Sequence, residues 1–169
     1  LIEEVTRLYG VDRIPSTPPR GAHGANEFDT LHDQLMDARL LLTSLGLSET
    51  QGQTLIADSA ARRVHPGFVA LEYPLSSDMN VLRPSLLPGL LDVLQHNVSH
   101  RNTDVAVFEI GRVFLPGEST VTESRKLAIA WIGNRQLGFW KGGAKAEKVD
   151  IFDLKGLLDG FLDGFGIRG

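Results

Sequence analysis

Two nearly continuous apolar segments in the second half of the chain constrain the fold most strongly. They span residues 105–114 and 126–132, and the turn formers Pro116 and Gly117 stand between them. A strand that is apolar at almost every position is typical of a sheet covered on both faces. Because a turn-containing loop joins the two segments, we expect them to form an antiparallel pair.

Helical periodicity predicts three longer helices around these strands. The first covers residues 29–45, with a cap at Asp29 or Thr30 and an end at Gly46. The second begins near residues 85–86, and the third begins at Asp150 or Asp153. An apolar stripe ending at Gly10 predicts the last turns of another helix at the start of the chain.

A short strand is predicted around residues 49–56, and the alternation of Val69, Leu71 and Tyr73 predicts another. Helices that flank mainly antiparallel strands make an α+β fold. Residues 11–27 are rich in Pro and Gly and predict a linker. Because helical stripes stand at both ends, we expect the chain to be a piece of a longer protein.

Met36, Leu40 and Leu41 widen the apolar stripe of the 29–45 helix. A stripe this wide is compatible with two roles. Either it is used entirely within its own core, or one side of it is presented to a partner. The residues alone favour neither.

Composition excludes several classes of protein. The 169 residues carry a formal net charge of −4 and include no Cys, which removes disulfide scaffolds, thiolate zinc sites and Cys nucleophiles. Hydrophobic residues make up 42%, too many for a disordered chain. The short basic cluster at residues 62–65 falls well below a nucleic-acid footprint, and no apolar run approaches the roughly 20 residues of a membrane span.

No motif of the sequence completes an active site. Phosphate-binding glycine loops, nucleophile elbows and paired zinc-binding histidines of the usual patterns are absent. His96 and His100 have a spacing of four but no third ligand nearby in sequence. Glu109 lies in an apolar strand near Arg112, where a buried ion pair or hydrogen bond is favoured over catalysis. Glu3 and Glu4 are adjacent on a helix and, taken alone, are most simply solvated charges.

Four segments, in the same order along the chain, resemble the beta subunit of bacterial phenylalanine–tRNA ligase. They are Pro-Leu-Ser-Ser-Asp-Met-Asn-Val-Leu-Arg-Pro-Ser-Leu-Leu-Pro-Gly-Leu-Leu at 74–91, Val-Phe-Glu-Ile-Gly-Arg-Val-Phe at 107–114, Asp-Ile-Phe-Asp-Leu-Lys-Gly at 150–156, and residues 1–15. The resemblance implies a class II aminoacyl-tRNA synthetase-like antiparallel sheet flanked by helices, truncated at the C-terminus, over residues 28–169. Residues 1–15 would be the C-terminal end of the B5 domain, residues 16–27 a linker, and the remainder an incomplete, catalytic-like B6–B7 core.

The resemblance also implies partners. The family enzyme is a cytoplasmic α2β2 heterotetramer that attaches phenylalanine to tRNA(Phe), with ATP used by the alpha subunit. The 29–45 helix resembles the interface helix of class II enzymes, which favours a partner role for its wide stripe. The alternative is a stand-alone interaction or nucleic-acid-binding module with a degenerate synthetase fold.

For the site residues, the resemblance implies a domain without catalytic or cofactor-binding residues of its own. Where the alpha subunit carries an ATP-binding Arg after its Gly-Arg-Val-aromatic segment, this chain has Leu115 and then Pro116. Such an Arg stabilises the negative charge that develops on the nucleotide phosphate. Glu3 and Glu4 match two ligands of a family magnesium site, so the resemblance implies that they bind Mg²⁺ in the intact complex.

Overall fold

The computed structural model describes residues 1–18, 29–118, 120–135 and 147–167. Contacts divide the chain into two units, Leu1–Asp33 and Gln34–Gly169. A short 3₁₀ helix at Val11–Arg13 follows the first helix. The α-helices are α1 (Ile2–Tyr9), α2 (Thr30–Ser44), α3 (Asp58–Arg62), α4 (Leu87–Ser99) and α5 (Ile151–Gly164).

The strands form two three-stranded sheets among the described residues, with the orders β1-β5-β6 and β2-β4-β3. The smaller sheet is antiparallel throughout. The strands are β1 (Ser48–Glu49), β2 (Leu55–Ile56), β3 (Val69–Ala70), β4 (Val81–Leu82), β5 (Val105–Pro116) and β6 (Val121–Ile132).

The predicted antiparallel pair is confirmed. β5 and β6 are 12 residues long each and pair without interruption from Val105 with Ile132 to Pro116 with Val121. The third strand of this sheet differs from the expectation, because β1 lies parallel to β5. The main sheet is therefore mixed, with a long antiparallel pair and a short parallel one.

The segment predicted as one strand over residues 49–56 is divided between the two sheets. Glu49 pairs with Phe108 in the main sheet, whereas Leu55 pairs with Leu82 in the smaller one. Gly52 lies between them, and a side chain there would meet the buried Glu109 carboxylate. The close approach explains why a glycine occupies the point where the chain passes from one sheet to the other.

The main sheet is covered on both faces, as its apolar strands predict. On one face Leu42 of α2 and Leu157 of α5 pack with Phe108. On the other face Leu90 and Leu94 of α4 pack with alternate residues of β5 and β6. Each face is thus a helix-on-sheet layer, the arrangement that buries the apolar face of a helix against that of a sheet.

Helix ends follow the sequence signals. The Asp29 carboxylate accepts a hydrogen bond from the His32 N–H (3.1 Å) at the start of α2. At the start of α5, Asp150 and Asp153 form a reciprocal capping box. α1 ends at Gly10, whose φ of 99° lies in the region that favours glycine.

Candidate functional site

A buried ion pair joins the two sheets. Arg83, directly after β4, places Nη1 2.6 Å from Oε1 of Glu109 in β5, and the two side chains are only 7% and 4% exposed. The Arg83 Nε also donates to the carbonyl of Arg112 (2.9 Å). In the opposite direction, the Phe114 N–H donates to the carbonyl of Arg83 (2.9 Å).

Three glycines surround this pair and leave room for it. An added Cβ at Gly111 would collide with Nη2 of Arg83, and one at Gly52 would lie 3.0 Å from Oε2 of Glu109. Gly89, in the first turn of α4, would bring a Cβ 3.9 Å from the same oxygen. The carboxylate is therefore enclosed by backbone near the positive end of α4, a favourable position for a negative charge.

Glu109 forms the buried ion pair that its apolar strand favoured, but the partner is not the nearby Arg112. Its ion-pair partner is Arg83, 26 residues away, whereas Arg112 forms an exposed pair with Glu123 (2.9 Å). Glu109 and Arg112 are an odd number of residues apart on one strand, so their side chains leave on opposite faces. The burial and the tight pairing of Glu109 suit a structural link between sheets.

The strand position that carries the ATP-binding Arg in the resemblance is apolar here. Leu115 is half-buried near the end of β5. Pro116, the final residue of the strand, still pairs with Val121. This strand end therefore offers no cation to a phosphate through Leu115.

Glu3 and Glu4 lie side by side on the first turn of α1 and are exposed. Consecutive helix residues point about 100° apart. The Glu4 carboxylate is 3.5 Å from the amino group of Leu1. Within the described ranges, no group of three or more His, Asp and Glu side chains could enclose a metal ion.

His96 and His100 stack with ring centroids 4.3 Å apart near the end of α4. Nδ1 of His100 lies 2.8 Å from the carbonyl of His96. This nitrogen is thus engaged with the backbone. Among the described residues, no third ligand completes a metal site with these two histidines.

Arg135 is held by the start of α5. Its Nε lies 2.7 Å from Asp153, its Nη1 lies 3.2 Å from Glu147, and its Nη2 lies 4.0 Å from Asp150. The Asp153 hydrogen bond, followed by its charge, raises the pKa of Arg135. In turn the Asp150 backbone N–H and Arg135 lower the pKa of Asp153.

Part of the wide stripe on α2 stays on the surface. Ala38 and Leu42 are buried, but Leu40 is 63% exposed. Leu31, Met36 and Leu45 are also exposed. The described core uses one side of the helix, whereas Met36 and Leu40 lie about 40° apart on the opposite side and stay exposed. We call these two residues the α2 apolar surface.

Sequence reasoning missed Arg83, although it lies in one of the matching segments. Its signal is weak because an Arg between Leu82 and Pro84 reads as an ordinary loop residue.

No helix in the described parts of the chain has both the length and the apolarity to cross a bilayer.

Comparison with known proteins matches the chain to one family. The family model described as the phenylalanyl tRNA synthetase beta chain CLM domain matches residues 14–169. The phenylalanine–tRNA ligase beta subunit of Bacillus licheniformis is 37% identical over 172 residues, and that of Lactiplantibacillus plantarum is 34% identical over 173. Each alignment covers 99% of this chain and 21% of the relative. The chain thus spans about a fifth of the length of these relatives.

Solved structures show the same fold at low identity. A pyrrolysyl tRNA synthetase from Desulfitobacterium hafniense superposes with a TM-score of 0.60 at 18% identity, covering 99% of this chain and 51% of that one. A histidine–tRNA ligase subunit from Alicyclobacillus acidocaldarius gives a TM-score of 0.60 at 18% identity, with coverage of 92% and 44%. The fold is therefore tRNA synthetase-like, and the chain belongs to the phenylalanyl-tRNA synthetase beta chain family.

Proposed function

We propose that this chain is a non-catalytic domain of a phenylalanine–tRNA ligase beta subunit, which supports the active site of an alpha subunit. The whole complex would be a cytoplasmic α2β2 heterotetramer that attaches phenylalanine to tRNA(Phe), with ATP consumed by the alpha subunit. Family membership supports the assignment to a beta subunit.

The observation that carries the supporting role is the α2 apolar surface. Met36 and Leu40 are 42% and 63% exposed on the same side of α2, and adjoining exposed apolar side chains are typical of protein–protein contacts. Placing such a helix against an alpha subunit would remove this area from water. Leu115 supports the non-catalytic role, because an apolar side chain supplies no charge to a nucleotide phosphate.

Finer features of the family belong to the same proposal. Residues 28–169 would form an incomplete class II synthetase-like core, residues 16–27 a linker and residues 1–15 the end of a B5 domain. Glu3 and Glu4 would contribute to a magnesium site in the intact protein, since carboxylate oxygens are the ligands that Mg²⁺ prefers. Their exposure on α1 leaves both carboxylates open to ligands from elsewhere.

Co-expression tests the proposal. The complete beta subunit that contains this chain carries an affinity tag and is expressed with the alpha subunit of the same organism. We expect the alpha subunit to co-purify in equal amount and to aminoacylate tRNA(Phe) only in the complex. A beta subunit that purifies alone, or an alpha subunit fully active without it, would favour a stand-alone module instead.

A further inference from the structure

A cleft of about 520 Å³ opens at the edge of the main sheet. Its volume is in the range of small-molecule and side-chain binding sites. We call it the edge cleft. It lies between α4, the turn that joins α2 to β1, and the residues after β6, and its described lining is Gly46, Ser48, Glu49, Thr50, Val93, Asn97, Asn102, Asp104, Val105, Ala106, Val107, Trp131, Asn134 and Arg135.

The short first strand explains why the cleft exists. β1 pairs with β5 only at Val107 and Phe108. Val105 and Ala106 therefore extend past β1, and both line the edge cleft. Among the described residues, no strand pairs with this part of the edge of β5. An unpaired sheet edge is suited to an added extended segment.

The polar walls offer mainly hydrogen-bond acceptors. Nδ2 of Asn97 already donates to the carbonyl of Val93 (2.9 Å), and Nδ2 of Asn102 donates to Oδ1 of Asn97 (2.9 Å). Asp104 accepts from the backbone N–H of Asn134 (2.8 Å). Oδ1 of Asn134 is buried and has no donor among the described residues. A guest that brings N–H groups would complement these walls.

The charges around the cleft favour a cation. Arg135, the basic side chain of the lining, is held by the Glu147, Asp150 and Asp153 carboxylates outside it. Glu49 is similarly paired with Arg39 (2.7 Å), while Asp104 faces only amide donors.

The lining itself holds two carboxylates, Glu49 and Asp104, and one guanidinium, Arg135. With the ion-pair partners outside the cleft, the count is five carboxylates to two guanidinium groups. Lys148, which forms an isolated β-bridge with the lining residue Asn134, adds one ammonium group. Carboxylates remain in excess with Lys148 included. The resulting field attracts positive charge.

We propose that the edge cleft binds an arginine side chain presented by an extended segment of a partner polypeptide. The planar guanidinium has five N–H donors, which match the Asp104 carboxylate and the amide oxygens of the wall. Its face can stack on the indole of Trp131. The polypeptide on either side of the arginine would lie along the sheet edge at Ala106. This site is independent of the proposed supporting role of α2.

Trp131 provides the signal for a direct test. The chain has two Trp residues, so a Trp140→Phe background leaves Trp131 as the sole indole. The probe is the blocked tripeptide acetyl-Gly-Arg-Gly-amide, titrated at low salt. We expect a saturable change in Trp131 fluorescence. The absence of any response up to about 10 mM peptide would overturn the proposal. A dissociation constant of that size corresponds to only about 3 kcal/mol of binding free energy.

A neutral isostere separates charge recognition from shape. The same tripeptide with citrulline in place of arginine has almost the same size without the positive charge. We expect the citrulline peptide to bind at least about tenfold more weakly, because hydrogen bonds to charged groups are roughly twice as strong as neutral ones. Equal affinity for both peptides would contradict a guanidinium site.

Two variants locate the binding site. Asp104→Asn and Glu49→Gln each remove one charge of the lining, and each should weaken the arginine peptide about tenfold. Asp92→Asn, on the exposed side of α4 and outside the lining, is the matched control and should not change affinity. If Asp104→Asn lowers the melting temperature, Glu49→Gln carries the test. Wild-type affinity in Glu49→Gln would then overturn the assignment.

Propylguanidine distinguishes a free cation from a polypeptide. It is the arginine side chain without the peptide backbone on either side and carries the same single positive charge. We expect it to bind about tenfold more weakly than the tripeptide, which would also use the sheet edge. Equal or tighter binding of propylguanidine would show that the guest is a small cation, contrary to the proposal.

Discussion

Arg83 and Glu109 form a buried ion pair, with Nη1 and Oε1 2.6 Å apart, that links the smaller sheet to the main sheet. Removing one partner of such a pair leaves an uncompensated charge in the interior. We therefore expect Arg83→Met and Glu109→Leu each to lower the free energy of unfolding by about 3–5 kcal/mol, measured by urea denaturation.

The double variant Arg83→Met/Glu109→Leu provides the control for this pair. Because apolar residues of similar volume often replace a buried ion pair at little cost, we expect it to be more stable than Arg83→Met alone. A double variant whose loss equals the sum of the two single losses would contradict the pairing.

Gly111 is predicted to tolerate no side chain. An added Cβ would collide with Nη2 of Arg83 and lie 3.0 Å from Leu86. Gly111→Ala should lower the free energy of unfolding by about 1–3 kcal/mol, the usual cost of overpacking. Gly156→Ala is the matched control, because this helical glycine of α5 has no atom within 4 Å of its added Cβ. It should raise stability by about 0.5–1 kcal/mol, and equal losses at both positions would contradict the structure.

The start of α5 should make stability depend on pH. The Asp150 N–H and Arg135 hold the pKa of Asp153 below its usual range. A carboxyl whose pKa is lower in the folded state stabilises the fold above its unfolded pKa, about 3.9. That stability is lost as the pH falls through the folded value. Wild type should therefore be more stable than Asp153→Asn at pH 7, and thermal melts should show the gap closing below about pH 4. A gap that stays constant down to pH 2 would count against this account.

Leu115 leads to a prediction about nucleotide binding. The strand end lacks the Arg that would meet the phosphates. We therefore expect calorimetry of the 169-residue chain with Mg-ATP to give no dissociation constant below about 1 mM, which corresponds to a binding free energy of roughly 4 kcal/mol. The complete alpha–beta complex, measured in the same buffer, is the positive control. Micromolar binding to the chain alone would show that this domain retains a nucleotide site.

Local patterns in the sequence predicted much of the fold. The helix caps at Asp29 and Asp150 and the antiparallel β5–β6 pair follow from signals within a few residues of each other. The division of residues 49–56 between two sheets does not, because it depends on pairing with strands that are distant in the sequence, at Phe108 and Leu82. The small sheet was also harder to predict, since each of its strands is two residues long and Tyr73 is exposed rather than part of β3.

Sites that depend on distant residues were the least predictable. The burial of Glu109 could be inferred from its apolar strand, but its partner Arg83 is 26 residues earlier in the chain. The edge cleft brings together residues from Gly46 to Arg135, and no spacing within one element indicates it. Glu3 and Glu4 remain a prediction from resemblance, because two adjacent helical carboxylates specify no coordination geometry.

The most direct test of the supporting role compares two exposed leucines in the complete beta subunit. Leu40 on α2 is 63% exposed and Leu91 on α4 is 59% exposed, so Leu40→Asp and Leu91→Asp introduce the same charge at similarly accessible helical positions. Co-purification with the alpha subunit and aminoacylation of tRNA(Phe) are then measured for both. We expect the Leu40→Asp variant not to co-purify with the alpha subunit and to have at least about tenfold lower aminoacylation activity, equivalent to about 1.4 kcal/mol. The Leu91→Asp variant should assemble and aminoacylate normally. Full assembly and activity with Leu40→Asp would contradict the role assigned to the α2 apolar surface.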